Sequence, residues 1–87
     1  MLSFAQAIKT AKNELNELTG LEISSVIAAE KSDDGWLVTI EVIEKRSIPD
    51  SMDVLGIYET RLDDEGQMQD FRRIKMRKRI DTEDAEV

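Results

Sequence analysis

Apolar residues recur first at helical and then at strand spacing along this chain. Phe4, Ala7, Ile8, Ala11, Leu15 and Leu18 fall three or four apart, so a helix would align them on one face. Ser3 opens the run and Gln6 follows three residues on, the spacing of a reciprocal capping box. Gly20 stands where a helix would end in the left-handed conformation. The spacing predicts one amphipathic helix over 3–20. From Leu21 the period becomes two, with strands expected over 23–30, 36–44, 54–62 and 68–80. Turn residues separate them: Ser32-Asp33-Asp34-Gly35, a stretch from Arg46 to Ser51 that holds the single proline, and Asp64-Glu65-Gly66. The pattern predicts an α+β fold, an N-terminal amphipathic helix packed on a four-stranded antiparallel β-meander. One domain over 1–80 is expected, followed by a flexible acidic C-terminal tail over 81–87.

Two three-residue turns would set Ser32 opposite Trp36 and Asp63 opposite Gln67. Val26, Ala28, Trp36, Val38, Ile40, Val42, Val54, Tyr58, Leu62, Ile74 and Met76 would then face the core, with Gly56 as a small residue among them. The other face would carry Ile27, Glu41, Ile43, Leu55, Ile57, Glu59, Phe71, Arg73, Lys75 and Arg77. Ile27, Ile43, Leu55 and Ile57 would cluster there. A slip of one residue exchanges the faces.

Composition narrows the chemistry. The 87 residues include no Cys and no His. That removes disulfides, thiol catalysis, imidazole bases and the common transition-metal ligands. No apolar run approaches the roughly 20 residues of a membrane-spanning helix, and Met-Leu-Ser-Phe-Ala-Gln does not read as a signal peptide. Glycines stand singly, so no phosphate-binding loop is present, and the acids at 33–34 and 63–65 lack the spacing of a calcium loop. Glu41, Glu44 and Glu59 form no complete catalytic set. No enzyme activity, cofactor or metal is expected.

The net charge is −7, unevenly placed. Arg72, Arg73, Lys75, Arg77, Lys78 and Arg79 crowd one strand, while the other six basic residues face all 19 acids and leave the rest at −13. Acids within the sheet could answer this strand, or an acidic protein partner could. Nucleic acid is the less favoured partner, given the overall charge and Phe71 as the one aromatic in that stretch.

The chain also resembles the gas vesicle protein O family. The resemblance rests on the run Gly35-Trp36-Leu37-Val38-Thr39-Ile40-Glu41-Val42-Ile43-Glu44, then Ile48-Pro49, Asp53-Val54-Leu55, Tyr58-Glu59, Leu62-Asp63 with Gly66, and Arg72-Arg73. Leu18-Thr19-Gly20 matches the family's opening. Ser47, with Arg46 one earlier, departs from the usual arginine before Ile-Pro, and Met76 stands where an aromatic is usual. The resemblance implies a cytoplasmic, noncatalytic accessory protein of gas vesicle assembly, acting through other gas vesicle proteins, and leaves association with the vesicle itself open. The protein-binding candidates are Ile27, Glu41, Ile43, Leu55, Ile57, Glu59, Arg73, Lys75 and Arg77. The alternative is a regulator of vesicle expression that binds nucleic acid or a transcription factor through the basic fourth strand. An exposed first or fourth strand also leaves a homodimer open.

Overall fold

A computed structural model describes residues 2–80 of the chain. The tail over 81–87 lies outside the described residues. Helix α1 (Phe4–Thr19) is followed by strands β1 (Glu22–Ser32), β2 (Gly35–Lys45), β3 (Val54–Asp63) and β4 (Met68–Lys78), with one short 3₁₀ turn (Asp50–Met52) between β2 and β3. The strands form one antiparallel sheet in the order β1-β2-β3-β4, and the helix crosses one face. This is the α+β meander that the periodicity predicts.

The helix ends where its sequence dictates. Ser3 Oγ accepts the Gln6 amide at 3.1 Å, and Gln6 Oε1 accepts the Ser3 amide at 3.0 Å. Together they satisfy two amides that the first turn leaves without intrahelical partners. Gly20 closes the helix at φ 74°, donating its N–H to the Asn16 carbonyl at 2.8 Å. Ala7, Ala11 and Leu15 are fully buried against the sheet, so two of three contact positions are small and let the helix sit close. Phe4 and Leu18, at the margins of the expected stripe, are more than half exposed. Phe4 sets its ring edge against Trp36 with centroids 4.7 Å apart.

The helix-side core consists of Ala7, Ala11, Leu15, Trp36, Val38, Ile40, Val42, Tyr58 and Leu62, edged by Ile23, Val26, Ala29, Met68 and Phe71 among others. Burying one such aliphatic side chain contributes roughly 1.5–3 kcal/mol. Thr60 is buried among them and donates its hydroxyl to the Val38 carbonyl at 2.9 Å, so it costs no unmet hydrogen bond.

The register differs from expectation in specific places. The first hairpin has a two-residue turn, Asp33-Asp34, so Ser32 opposes Gly35 and Lys31 opposes Trp36. Gly35 is required there for space rather than for φ, because a Cβ would fall on the Leu62 carbonyl oxygen of the neighbouring strand. The second hairpin is the three-residue turn expected: Asp63 accepts from Gly66 and opposes Gln67, with Gly66 at φ 90°. Extra residues then shift the ladders. β1 carries them at Ser24 and Ile27, β2 at Glu44, and β4 at Gln69 and Ile74. Each such bulge reverses the alternation beyond it. The two-residue turn sets Ala29 opposite Val38, so Ala29 replaces Ala28 in the core, and the Ile27 bulge returns Val26 to that side. The Gln69 bulge turns Phe71 to the helix side, and the Ile74 bulge keeps Met76 there opposite Gly56, with Ile74 and Met76 46% exposed.

Candidate functional site

The face away from the helix holds most of the residues singled out in the sequence. Its rows follow from the ladders: Glu41 beside Ile57, Ile43 beside Leu55, Thr39 beside Glu59, then Ile57 beside Lys75, Leu55 beside Arg77 and Glu59 beside Arg72. Ile43, Leu55 and Ile57 do come together. Leu55 is 1% exposed and Ile43 8%, so Ile57 is the aliphatic of this trio with the greater access. Ile27 does not join them. The ladder sets Glu22 beside Ile43, while Ile27 is the extra residue of a bulge nearer mid-strand and is 51% exposed.

Carboxylates in the sheet answer much of the basic strand. Arg77 Nη2 lies 2.8 Å from Glu41 Oε2, and Glu41 also accepts from Ser24 Oγ at 3.4 Å. Arg72 Nη2 lies 3.2 Å from Glu59 Oε1. Arg61 and Asp70 form a two-pronged pair at 3.0 and 2.5 Å, and this guanidinium holds the Asp70 carboxyl below the ordinary carboxylate range. Leu37, Glu59, Arg61, Asp70, Phe71 and Arg72 border an open cavity of about 510 Å³.

Arg73 is not on this face. The bulge at Gln69 puts it opposite Tyr58 on the helix side, where Nη1 lies 3.5 Å from Glu44 Oε2, and the bulge at Ile74 then returns Lys75 and Arg77 to the other face. Tyr58 donates its hydroxyl to the same oxygen at 3.0 Å. Burial, then this carboxylate, raises the phenol's pKa. Gly56 leaves room for the Glu44 carboxylate, which lies where a Cβ on residue 56 would project. Glu44 is thus separated from Glu41 and Glu59 by the sheet itself, and the three acids form no shared acid–base site.

A second buried carboxylate had no distinguishing signal in the sequence. Asp53 is fully buried. Its Oδ1 accepts the Ser47 amide at 2.6 Å, and its Oδ2 lies 3.2 Å from Arg79 Nη2 and 3.9 Å from Arg46 Nη1. The Ser47 amide does most to hold the carboxyl below its ordinary range, burial opposes it, and the arginines add to the lowering. Arg79 and Ile80 donate their backbone amides to the Asp53 and Ser51 carbonyls at 2.7 and 2.8 Å. These bonds fasten the β2–β3 connection to the end of β4.

Trp36 is 4% exposed and serves as a core anchor, with Lys31 Nζ 5.5 Å above its ring. Among the described residues no helix is long and apolar enough to cross a membrane, and no group of acids is placed to hold a metal ion.

Comparison with known proteins places this geometry in context. The family model described as "Gas vesicle synthesis protein GvpO" matches residues 1–83. Gas vesicle protein O of a Streptomyces strain is 39% identical over 70 residues, covering 80% of this chain and 55% of that protein. Gas vesicle protein O1 of Halobacterium salinarum is 29% identical over 79 residues, covering 91% of this chain and 66% of that one. Gas vesicle protein O of Haloferax mediterranei is 28% identical over 81 residues, covering 92% and 58%. The chain thus spans a little over half the length of the first of these relatives. No solved structure matches it.

Proposed function

The chain belongs to the gas vesicle protein O family, whose role is in gas vesicle synthesis, and we propose that within it the protein works as a noncatalytic adaptor. In this reading it binds other gas vesicle proteins in the cytoplasm through the sheet face opposite the helix. The observation that carries the reading is the composition of that face. Ile57 sits in a row with Glu41 and Lys75, and ordered ion pairs flank it. Fixed charges around an aliphatic centre select a partner and set encounter rates, while the aliphatic centre holds it.

The nucleic-acid alternative draws less support. Arg72, Arg73, Arg77 and Arg79 each have a carboxylate within 3.5 Å, so phosphate would compete with an intramolecular partner at each. A homodimer through the outer strands is also disfavoured, because β1 and β4 each carry two bulges that bend their outer edges.

Titration of the purified chain with each of the other gas vesicle proteins in turn, at two salt concentrations and beside a polynucleotide control, tests the proposal. Saturable binding of at least one vesicle protein, weakened by Lys75→Glu and absent with polynucleotide, is the expected result. Salt-sensitive polynucleotide binding with no vesicle-protein binding would overturn it.

A further inference from the structure

The connection between β2 and β3 is hydrogen-bonded on its inner side and presents Ile48, Pro49 and Met52 on its outer side, beside the exposed Arg46 and Asp50. Inside, Asp53 takes the Ser47 amide at 2.6 Å and the Arg79 guanidinium at 3.2 Å. The Met52 and Asp53 amides close the 3₁₀ turn on the Pro49 and Asp50 carbonyls at 3.0 and 2.9 Å, and the end of β4 adds two more backbone bonds. Outside, Ile48 is 100% exposed, Pro49 is exposed and Met52 is 37% exposed.

A freely moving loop can leave an isoleucine in water without consequence, because docking it would cost the ordering of the loop. Here the backbone on both sides of Ile48 is already bonded, so that cost is largely met before any partner arrives. From this geometry we infer that residues 46–53 form a preorganised knob whose Ile48 side chain enters an apolar pocket on a protein partner. The inference rests on the adaptor reading above and assigns that adaptor a second, separate anchor.

The chemistry favours a protein pocket. The exposed apolar side chains are aliphatic, set beside the charged Arg46 and Asp50, and none is an aromatic ring on which a base could stack. The two arginines of the loop's base are already paired with carboxylates, Arg46 with Glu22 at 2.6 Å and Arg79 with Asp53 at 3.2 Å, rather than extended toward phosphate. One isoleucine with a neighbouring methionine is too little apolar surface for stable attachment to a lipid layer, which takes two anchoring signals. A concave site that fits one branched side chain is sufficient. Seating it is worth roughly ten- to a hundredfold in affinity.

The experiment compares wild type, Ile48→Asp and Ile48→Val in titrations with each purified gas vesicle protein, one at a time, by calorimetry. Ile48 touches little of its own fold, so all three variants should unfold at the same urea midpoint. Expected is at least a tenfold loss of affinity for Ile48→Asp, with Ile48→Val within a few fold of wild type. Equal binding by wild type and Ile48→Asp would overturn the knob while leaving the adaptor intact. Failure of wild type to bind any vesicle protein would overturn the adaptor reading, and the knob with it.

Discussion

The Glu41–Arg77 pair shows how far the basic strand is structural. Its atoms are 2.8 Å apart, with side chains 9% and 25% exposed. Fully exposed pairs contribute at most about 1 kcal/mol. Removing one member of a fully buried pair costs about 3–5 kcal/mol. This pair lies between those limits. Arg77→Met takes from the Glu41 carboxylate its partner at 2.8 Å beside Ile57, so a loss of about 2 kcal/mol is expected. Glu41→Leu should cost about 1 kcal/mol, since Arg77 can turn toward water and keep its bonds to the Lys78 and Arg79 carbonyls. The double variant puts two apolar side chains beside Ile43, Leu55 and Ile57. It should cost about 1 kcal/mol rather than the roughly 3 that simple addition gives, a coupling of about 2 kcal/mol. Urea unfolding of the four proteins reads the cycle. Thermal melts should place Arg77→Met roughly 8–16 °C below wild type, at about 4–8 °C per kcal/mol for a chain of this size. A coupling under about 0.5 kcal/mol would refute the reasoning and return Arg77 to the pool of charges open to a partner.

Two further predictions concern the frame that holds this face. Gly35→Ala drives a methyl into the Leu62 carbonyl where two paired strands leave no room, so a loss of about 2–3 kcal/mol is expected in urea unfolding; a neutral result would mean that the β2–β3 ladder can open at that end. Asp53 has a folded pKa below its unfolded value, so the support it gives is complete above the unfolded value of about 3.9 and is withdrawn as pH falls through the lower folded one. Wild type should therefore lose stability on acidification from about pH 4 downward more steeply than Asp53→Asn, and parallel acid limbs in the two proteins would count against the clasp.

Local signals in the chain carried the architecture. Ser3, Gln6 and Gly20 bound the helix because capping depends on residues three or four apart. Asp64-Glu65-Gly66 specified its turn because only glycine enters positive φ freely. Strand existence followed from alternation. The orientation of individual side chains followed less well, because a bulge is a property of two strands meeting. Nothing near Gln69 or Ile74 marks either as an extra residue, yet the first sends Arg73 to the helix side and the second returns Lys75 and Arg77 to the other. The two-residue first turn likewise moves Ala28 out of the core and Ala29 in, and the bulge at Ile27 returns Val26 to the core side. Ser-Asp-Asp-Gly suits a loop of two residues as well as one of three, so the length of the first turn is not legible from its residues. Asp53 and Glu44 were overlooked as structural carboxylates because their partners, Ser47 and Arg79 for one and Tyr58 and Arg73 for the other, converge only in the folded sheet.

The arrangement at Gly56 couples two positions 12 residues apart in the chain. Glu44 occupies the volume that a side chain at 56 would need, and from there it holds both Tyr58 and Arg73. A larger residue at 56 is compatible with this ladder only if residue 44 is shortened or swings aside, and either change strands the phenol and the guanidinium. Positions 44, 56, 58 and 73 therefore form one steric and electrostatic unit. Among chains that keep this sheet, a departure from glycine at 56 should arrive together with a smaller or uncharged residue at 44 and a matching loss of the tyrosine or the arginine. An aligned set of relatives would show this as joint variation at those four positions.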